Sequence, residues 1–295
     1  MTCTHDYPYC WFGFDEWNEM QEKCLPYFTE DRNLVVSASM ASGKTAVAEA
    51  VMGYELVNGK VIYTSPLHAL NEEKHRKWRG HPTFCDCKAV LLDREHHPTD
   101  DEMEESEIVI STIESLDIAC RAGKKWIEDA VLLVFDEAQL FDCERRGSAA
   151  EAMLMAFTER NPDARIVLLS GTLSNTREIA GWVKSLNGKQ TVYVNSNWMP
   201  VKMEKDVAVI DGLHDQMAFV EKNCKKGQKT IVFVHSKKMG EILARELKRK
   251  GIGCGFFHSG LKPDQRSALL SAFRRGSSRL DVLVATSSLG MGVDI

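Results

Sequence analysis

The chain has 295 residues, of which 44% are hydrophobic and 27% charged. That is room for two domains of ordinary size and the balance of a globular protein, not a disordered one. The formal net charge of −5 argues against binding nucleic acid through bulk positive charge, and leaves open a local groove. No stretch approaches the roughly 18 consecutive apolar residues of a membrane-spanning helix. The opening MTCTHDYPYCWFGFDEW lacks a basic start followed by an apolar run, so no secretory signal is expected. The nine cysteines are odd in number and scattered, and read as reduced thiols of a cytoplasmic or nucleoid-associated protein with no membrane partner.

Short apolar runs alternate with amphipathic stretches along the first two thirds of the chain. Residues 34–37, 61–64, 88–92, 108–111, 131–135 and 165–170 read as buried strands, because continuous Val, Ile and Leu suits a parallel sheet covered on both faces. Between them, 45–57, 67–78, 149–160 and 176–186 carry helical periodicity, while the acidic stretch 100–107 reads as an exposed loop. After a strand at 191–194 the alternation breaks at NSNWMPVKMEKD, where Pro200 fits a crossing segment. It then restarts as helix 213–225, strand 229–234, helix 238–250, strand 254–257, helix 263–275 and strand 281–285. The reading is α/β with doubly wound parallel sheets, divided into domains 1–199 and 200–295.

Chemistry concentrates in two places. Ala38-Ser39-Met40-Ala41-Ser42-Gly43-Lys44-Thr45 has the Walker A spacing, with Ala in place of the first Gly. It follows a predicted strand and opens a predicted helix, so backbone amides converge on phosphate oxygens. Gly43 permits close approach, Lys44 reaches the β- and γ-phosphates, and the Thr45 hydroxyl ligates magnesium. A chance Gly-Lys-Thr turn is the alternative, and the strand-loop-helix context argues against it. At the end of another strand stands Asp136-Glu137-Ala138-Gln139. Asp136 is the expected magnesium ligand, and Glu137 the group that orients and deprotonates the attacking water. With a Walker A elsewhere in the chain, a merely solvated acidic pair is the weaker reading.

Taken in order, the segments resemble superfamily-two helicases of the DExH/D-box group. ASMASGKT is similar to motif I, TSPLHALNEEK to Ia, STIESLD to Ib, FDEAQ to II and LSGTLSNTREIAGWV to III. In the second half, IVFVHS resembles motif IV, FFHSGLKPDQRSALLSAFRRG the segment after it, and VLVATSSLGMGVDI motif V. Residues 17–21 resemble the adenine-reading Q motif. PLHAL, LSGTLSNTREIAGW and WMPVKMEK together look most like the archaeal Hjm-type repair helicases and their Ski-like relatives, and the likeness runs from about Phe14 to Ile295.

The resemblance implies two RecA-like domains, the second incomplete at its C-terminus, and ATP with Mg2+ as cofactors. It implies that Gln21 contacts adenine with Phe14 near it, that Ser170 and Thr172 couple hydrolysis to domain movement, and that Gly290 and Asp294 approach the nucleotide. Pro66, Leu67, Thr112 and Glu114 in the first domain, and His235, Ser236, His258 and Thr286 in the second, would face a nucleic-acid backbone. Taken singly, each of these polar groups could equally be a cap or a surface side chain; Ser111 and Thr112, for instance, could cap the helix after them.

Two departures from the family pattern stand out. Gln139 replaces the His usual in this branch; an amide still donates and accepts, but loses titration near neutral pH. The chain also stops as motif V ends, so the arginines of motif VI are missing, and Arg266, Arg274, Arg275 and Arg279 come too early to stand in for them. An arginine finger contributes about 10³–10⁵ in rate, so weak turnover by this chain is expected. Either a partial gene product or a split enzyme, with a separate chain supplying motif VI, would account for it.

Other candidates are weaker. Cys85-x-Cys87 with His81, His96 and His97 nearby suggests zinc, but the pair is tight and no second pair follows, so a surface loop is preferred. Lys237, Lys238, Arg245, Lys248, Arg249 and Lys250 read first as a solvated helix face and second as phosphate contacts. The expected function is an ATP-dependent motor moving 3′-to-5′ on single-stranded or forked DNA in repair or replication. The alternatives are an RNA helicase of the Ski-like or DEAD-box kind, and a remnant that binds ATP or nucleic acid with little turnover.

Overall fold

The structure, a computed structural model, describes residues 16–171, 173–202, 204–224, 227–275, 280–286 and 289. The predicted site residues Phe14, Thr172, Gly290 and Asp294 lie outside these. The chain divides into two compact units, Met1–Lys202 and Met203–Ile295.

In the first unit seven strands form one sheet: β1 (Asn33–Ala38), β2 (Lys60–Ser65), β3 (Ala89–Leu92), β4 (Ile108–Thr112), β5 (Ala130–Phe135), β6 (Arg165–Ser170) and β7 (Thr191–Ser196). Their order is β3-β4-β2-β5-β6-β1-β7, and every pairing is parallel. The helices are α1 (Glu19–Cys24), α2 (Lys44–Glu55), α3 (His68–Trp78), α4 (Asp100–Glu105), α5 (Ile113–Arg121), α6 (Gly147–Arg160) and α7 (Thr176–Asn187). Alternate strand residues feed two cores. Leu34, Val36, Val61, Tyr63, Val134 and Val167 pack on one face with Val47, Val51 and Trp78 of α2 and α3. Val35, Ile62, Leu133, Phe135 and Ile166 pack on the other with Leu116, Leu154 and Val183 of α5 to α7. The period of two sends successive side chains to opposite faces, which is why these strands read as unbroken apolar runs.

The second unit has strands β8 (Thr230–Phe233), β9 (Cys254–Phe257) and β10 (Val282–Ala285), again parallel, in the order β8-β10-β9. Helices α8 (Leu213–Asn223), α9 (Lys237–Arg249) and α10 (Pro263–Arg274) accompany them. Val282 and Val284 pack with Leu243 and Leu247 of α9, whereas Leu283 and Ala285 pack with Phe257 and Phe273. Two parallel α/β sheets are thus what the strand-helix alternation builds. Among the described residues no helix is long and apolar enough to cross a membrane.

The acidic stretch 100–107 corrects the sequence reading, because Asp100–Glu105 is helical. The Thr99 side chain accepts from the Glu102 amide and the Glu102 carboxylate accepts from the Thr99 amide, a capping box. Asp100, Asp101 and Glu102 then lie in the first turn, where the helix dipole favours negative charge. Met103 anchors the helix in the core.

Candidate active site

All strands of the first unit run the same way, so their C-terminal ends share one sheet edge, the usual place for ligands in such sheets. The loop after β1 turns through Ala41 (φ 58°) and Gly43 (φ 84°), two left-handed residues in three, before α2 begins at Lys44. The short α1 braces this loop. Its cap Asn18 donates Nδ2 to the Ser42 carbonyl (2.9 Å), and Gln21 donates Nε2 to the Gly43 carbonyl (3.2 Å). The left-handed backbone at Gly43 favours glycine, and a Cβ there would sit 2.4 Å from that Nε2 and displace the Gln21 amide. Gln21 also accepts from the Asn18 amide, so its buried side chain holds the loop and the start of α1 together.

Lys44 folds over its own loop, donating Nζ to the carbonyls of Ala38 and Ser39, each at 2.9 Å. Burial pushes its ammonium below the ordinary lysine range, and Asp136 and Glu137 push it partly back up. The Ser42 hydroxyl is buried with no hydrogen-bond partner among the described residues, and no side chain caps the N-terminus of α2. A partly desolvated cation, an orphaned hydroxyl and an uncapped helix start fit a phosphate chain. Met40 is exposed beside them, and Thr45 is in the first turn of α2.

Asp136 continues β5, its amide donating to the Thr64 carbonyl of β2 (2.9 Å). Both of its carboxylate oxygens are engaged: Oδ2 accepts from the Tyr63 hydroxyl (2.5 Å) and Oδ1 from the Glu137 amide (2.8 Å). Tyr63 is fully buried, and burial together with Asp136 drives its phenol well above the ordinary value, so it stays a neutral donor that fixes the carboxylate. Glu137 adopts φ 61° and ψ 44°, a conformation that costs a non-glycine residue energy and is a feature of functional sites. Burial, then the neighbouring Asp136, raises its pKa above the ordinary glutamate value, against the pull of Gln139, Lys44 and Lys74.

Gln139 joins this carboxylate to β6. Its Nε2 donates to Glu137 Oε2, while its Oε1 accepts from the Ser170 hydroxyl (2.9 Å) and the Gly171 amide (3.0 Å). One amide thus uses both its donor and its acceptor end to link Glu137 to β6 and the residue after it.

Lys74 and Tyr63 are members of the site that sequence reasoning missed. Lys74, on α3 and buried, donates Nζ to Thr45 Oγ1 at 3.1 Å. Burial lowers its pKa, and Glu49 and Asp136 raise it in part. One ammonium therefore reaches the Thr45 hydroxyl while lying in the field of the Asp136 carboxylate. The available signal was a lysine on the apolar side of α3, one turn before Trp78.

The predicted strand-facing residues divide between the units. In the first, Arg146 donates Nη2 to the Pro66 carbonyl (3.0 Å) and to Glu114 Oε1 (2.6 Å), tying the segments after β2 and β4 together. Leu67 caps α3, and the Thr112 hydroxyl caps α5 by accepting from the Ser115 amide (3.4 Å). In the second, His235 and Ser236 follow β8, His258 follows β9 and Thr286 follows β10, so all four share one edge of that sheet. Ser236 caps α9 through the Met239 amide (3.2 Å), and His258 Nδ1 accepts from the Gly260 amide (3.1 Å).

The DEAD/DEAH box helicase family matches residues 18–179, more than half the chain, and the helicase conserved C-terminal domain matches residues 209–295. The chain belongs to the DEAD/DEAH box helicase family. It is 30% identical over 310 residues to the ATP-dependent DNA helicase Hel308 of Pyrococcus abyssi, covering 90% of this chain and 42% of that one. To Hel308 of Thermococcus kodakarensis it is 31% identical over 312 residues, covering 90% and 27%. It therefore spans less than half the length of these curated relatives. Both are named ATP-dependent DNA helicases, and the likeness agrees with the Hel308 and Ski-like branch that the chain's motifs resemble. Among solved structures, Mycobacterium smegmatis Lhr bound to ssDNA and AMP-PNP has the same fold (TM-score 0.73, 23% identity, 96% of this chain and 42% of that one). So does S. cerevisiae Dbp5 bound to RNA and ADP BeF3 (TM-score 0.72, 19% identity, 98% and 74%).

Proposed function

We propose that this chain is the motor core of an ATP-dependent DNA helicase, hydrolysing ATP with Mg2+ and moving 3′-to-5′ on single-stranded or forked DNA in repair or replication. The observation that carries the reading is the convergence of Lys44, Thr45, Asp136 and Glu137 on one sheet edge, with Lys74 touching Thr45 inside the field of Asp136. Names of relatives support DNA over RNA, since both Hel308 proteins are called DNA helicases.

The loop 38–43, the start of α2 and Lys44 would hold the phosphates, with Gln21 and its α1 helix behind them supporting the adenine side. Thr45 and Asp136 would hold magnesium, which supplies charge neutralisation at the phosphates. Glu137, kept basic by burial, would orient the attacking water and take its proton. Lys44 would leave the Ala38 and Ser39 carbonyls for phosphate oxygens, a stronger partner for a half-desolvated ammonium. Gln139 reports the state of Glu137 to Ser170 and Gly171, the start of motif III, and so would couple hydrolysis to movement. In the first unit Pro66 and Glu114, tied together by Arg146, with Leu67 and Thr112, and in the second His235, Ser236, His258 and Thr286, would each offer backbone and side-chain groups to phosphates, which gives grip without sequence preference.

Steady-state ATP hydrolysis with Mg2+ and equal concentrations of single-stranded DNA or RNA tests this. The reading expects hydrolysis that rises with DNA and is lost in Lys44→Ala. Stimulation by RNA alone would replace DNA as the track, and hydrolysis unchanged by Lys44→Ala would remove the site.

A further inference from the structure

We propose that the first unit carries a second cation site, for a zinc-like divalent transition metal, formed by His68, Glu72 and Glu95 with Asp93 orienting the histidine. It lies outside the residues assigned above to ATP and rests on none of them.

His68 opens α3, and Glu72 stands one turn later on the same helix. Asp93 and Glu95 follow β3. The Asp93 side chain is only 1% exposed. Its Oδ1 accepts from the amides of Glu95 (2.8 Å) and His96 (2.9 Å) and lies 3.0 Å from His96 Nδ1. Its Oδ2 lies 2.6 Å from His68 Nδ1. Two backbone amides donating to Oδ1 hold Asp93 in place as an acceptor. An acceptor-only carboxylate at 2.6 Å requires the proton on His68 Nδ1. His68 Nε2 therefore faces away from Asp93, toward Glu72 and Glu95.

At that second nitrogen two carboxylates meet. Glu72 Oε1 lies 3.4 Å and Glu95 Oε2 3.5 Å from His68 Nε2, and the three atoms lie within 4.8 Å of one another. One nitrogen bears at most one proton, so it cannot serve both oxygens with good hydrogen bonds at these lengths. The lengths do suit ligands of one ion. Zinc bonds of about 2.0–2.1 Å in a tetrahedron separate neighbouring ligand atoms by about 3.3–3.4 Å. The other group of three, His68, Asp93 and His96, does not suit one ion, because 2.6 Å between two ligand atoms is a hydrogen-bond length.

A metal-bound histidine whose other ring nitrogen donates to a carboxylate is the usual arrangement for holding imidazole in place, and Asp93 supplies it. One nitrogen and two carboxylate oxygens suit Zn2+, Mn2+ or Co2+ better than Mg2+, which prefers oxygen alone. Two carboxylates would neutralise the dication, and both are exposed enough to admit it from solvent. The fourth position is left for water. Bound metal would clip α3 to the segment after β3, one residue from Leu67.

Equilibrium dialysis and Co2+ absorbance on the full chain, with excess Mg2+ present, test the site. The wild type is expected to bind one more Zn2+ or Co2+ than Glu72→Gln/Glu95→Gln, a surface pair whose change leaves the core intact. His68→Ala should lose the same ion. Asp93→Asn should weaken binding by about 10–100-fold, as loss of an orienting partner does. His96→Ala should still bind. The cobalt form should show visible ligand-field bands without thiolate charge transfer, which separates it from the exposed thiols Cys85 and Cys143. Equal stoichiometry in wild type and double variant, or thiolate bands on the ion that distinguishes them, would overturn the proposal.

Discussion

The two ends of the seven-stranded sheet are built on opposite principles. At the N-terminal edge, polar groups are buried and satisfied. Arg165, 1% exposed, donates to the carbonyls of Arg32, Phe28 and Tyr27 and pairs with Glu55 at 3.0 Å. Asn33 bonds Asn187, Thr191 and the Ile166 amide, and Asn161 reaches the Ile127 and Ala130 carbonyls. At the C-terminal edge the accounts are left open. Ala41, Gly43 and Glu137 hold left-handed backbone, the Ser42 and Ser111 hydroxyls lack partners among the described residues, and Lys44, Lys74 and Glu137 are shifted against their charged forms. One edge is finished by folding. The other, on the proposed function, is finished by a ligand, and its strain is tolerated because the first edge over-determines the sheet.

Substitutions at the two edges should therefore separate stability from turnover. Glu137→Gln has the largest expected effect, a fall of about 10²–10⁴-fold in hydrolysis with ATP binding retained. The same change should stabilise the protein. The folded pKa of Glu137 lies above its unfolded value, so its stabilising contribution is full at acid pH and lost as pH rises through the folded value. At neutral pH the charged side chain is a cost that Gln removes, and a thermal melt should shift upward. Arg165→Met is the mirror experiment: it strands Glu55 and should cost about 3–5 kcal/mol. At about 2–4 °C per kcal/mol for a domain of this size, Tm should fall by about 10 °C while hydrolysis per folded molecule is unchanged.

Tyr63→Phe sits between these extremes. It leaves Asp136 oriented by the Glu137 amide alone, and the Mg2+ concentration for half-maximal hydrolysis should rise about 10-fold or more, as loss of a partner behind a metal ligand does. An unchanged Mg2+ requirement would make that hydrogen bond purely structural. In pH profiles, the acid limb of kcat/KM should lie above the ordinary glutamate value of 4.5, falling as pH drops, because the base must be ionised. The smallest effect is expected at Gln139. Wild type should show no histidine-like step between about pH 6 and 7 from this position. A wild-type step that vanishes in Gln139→Ala would contradict this.

The contrast between the edges also explains what the sequence shows and hides. The strand-loop-helix around Gly43-Lys44-Thr45 is contiguous, and Asp136 ends an unmistakable apolar run, so both are legible without coordinates. Tyr63 is not, because its role depends on β2 lying beside β5, a pairing between segments some seventy residues apart, and Lys74 is not, because its partner Thr45 sits on another helix; no local period encodes either. The same holds for His68 and Asp93, joined only once α3 packs along β3. The helix α4 escapes periodicity because six residues are too few to show an apolar stripe, although Thr99-x-x-Glu102 carried its capping signature. The caps at Thr112 and Ser236 show that motif residues also finish helices, as the sequence allowed for Thr112.

A crystal structure with a non-hydrolysable ATP analogue and Mn2+ in place of Mg2+ tests the central claim most directly. The metal's anomalous peak should fall between Thr45 Oγ1 and the Asp136 carboxylate, with Lys44 moved from the Ala38 and Ser39 carbonyls onto phosphate oxygens. A nucleotide seated away from the 38–45 loop, or a metal held without Asp136, would contradict it.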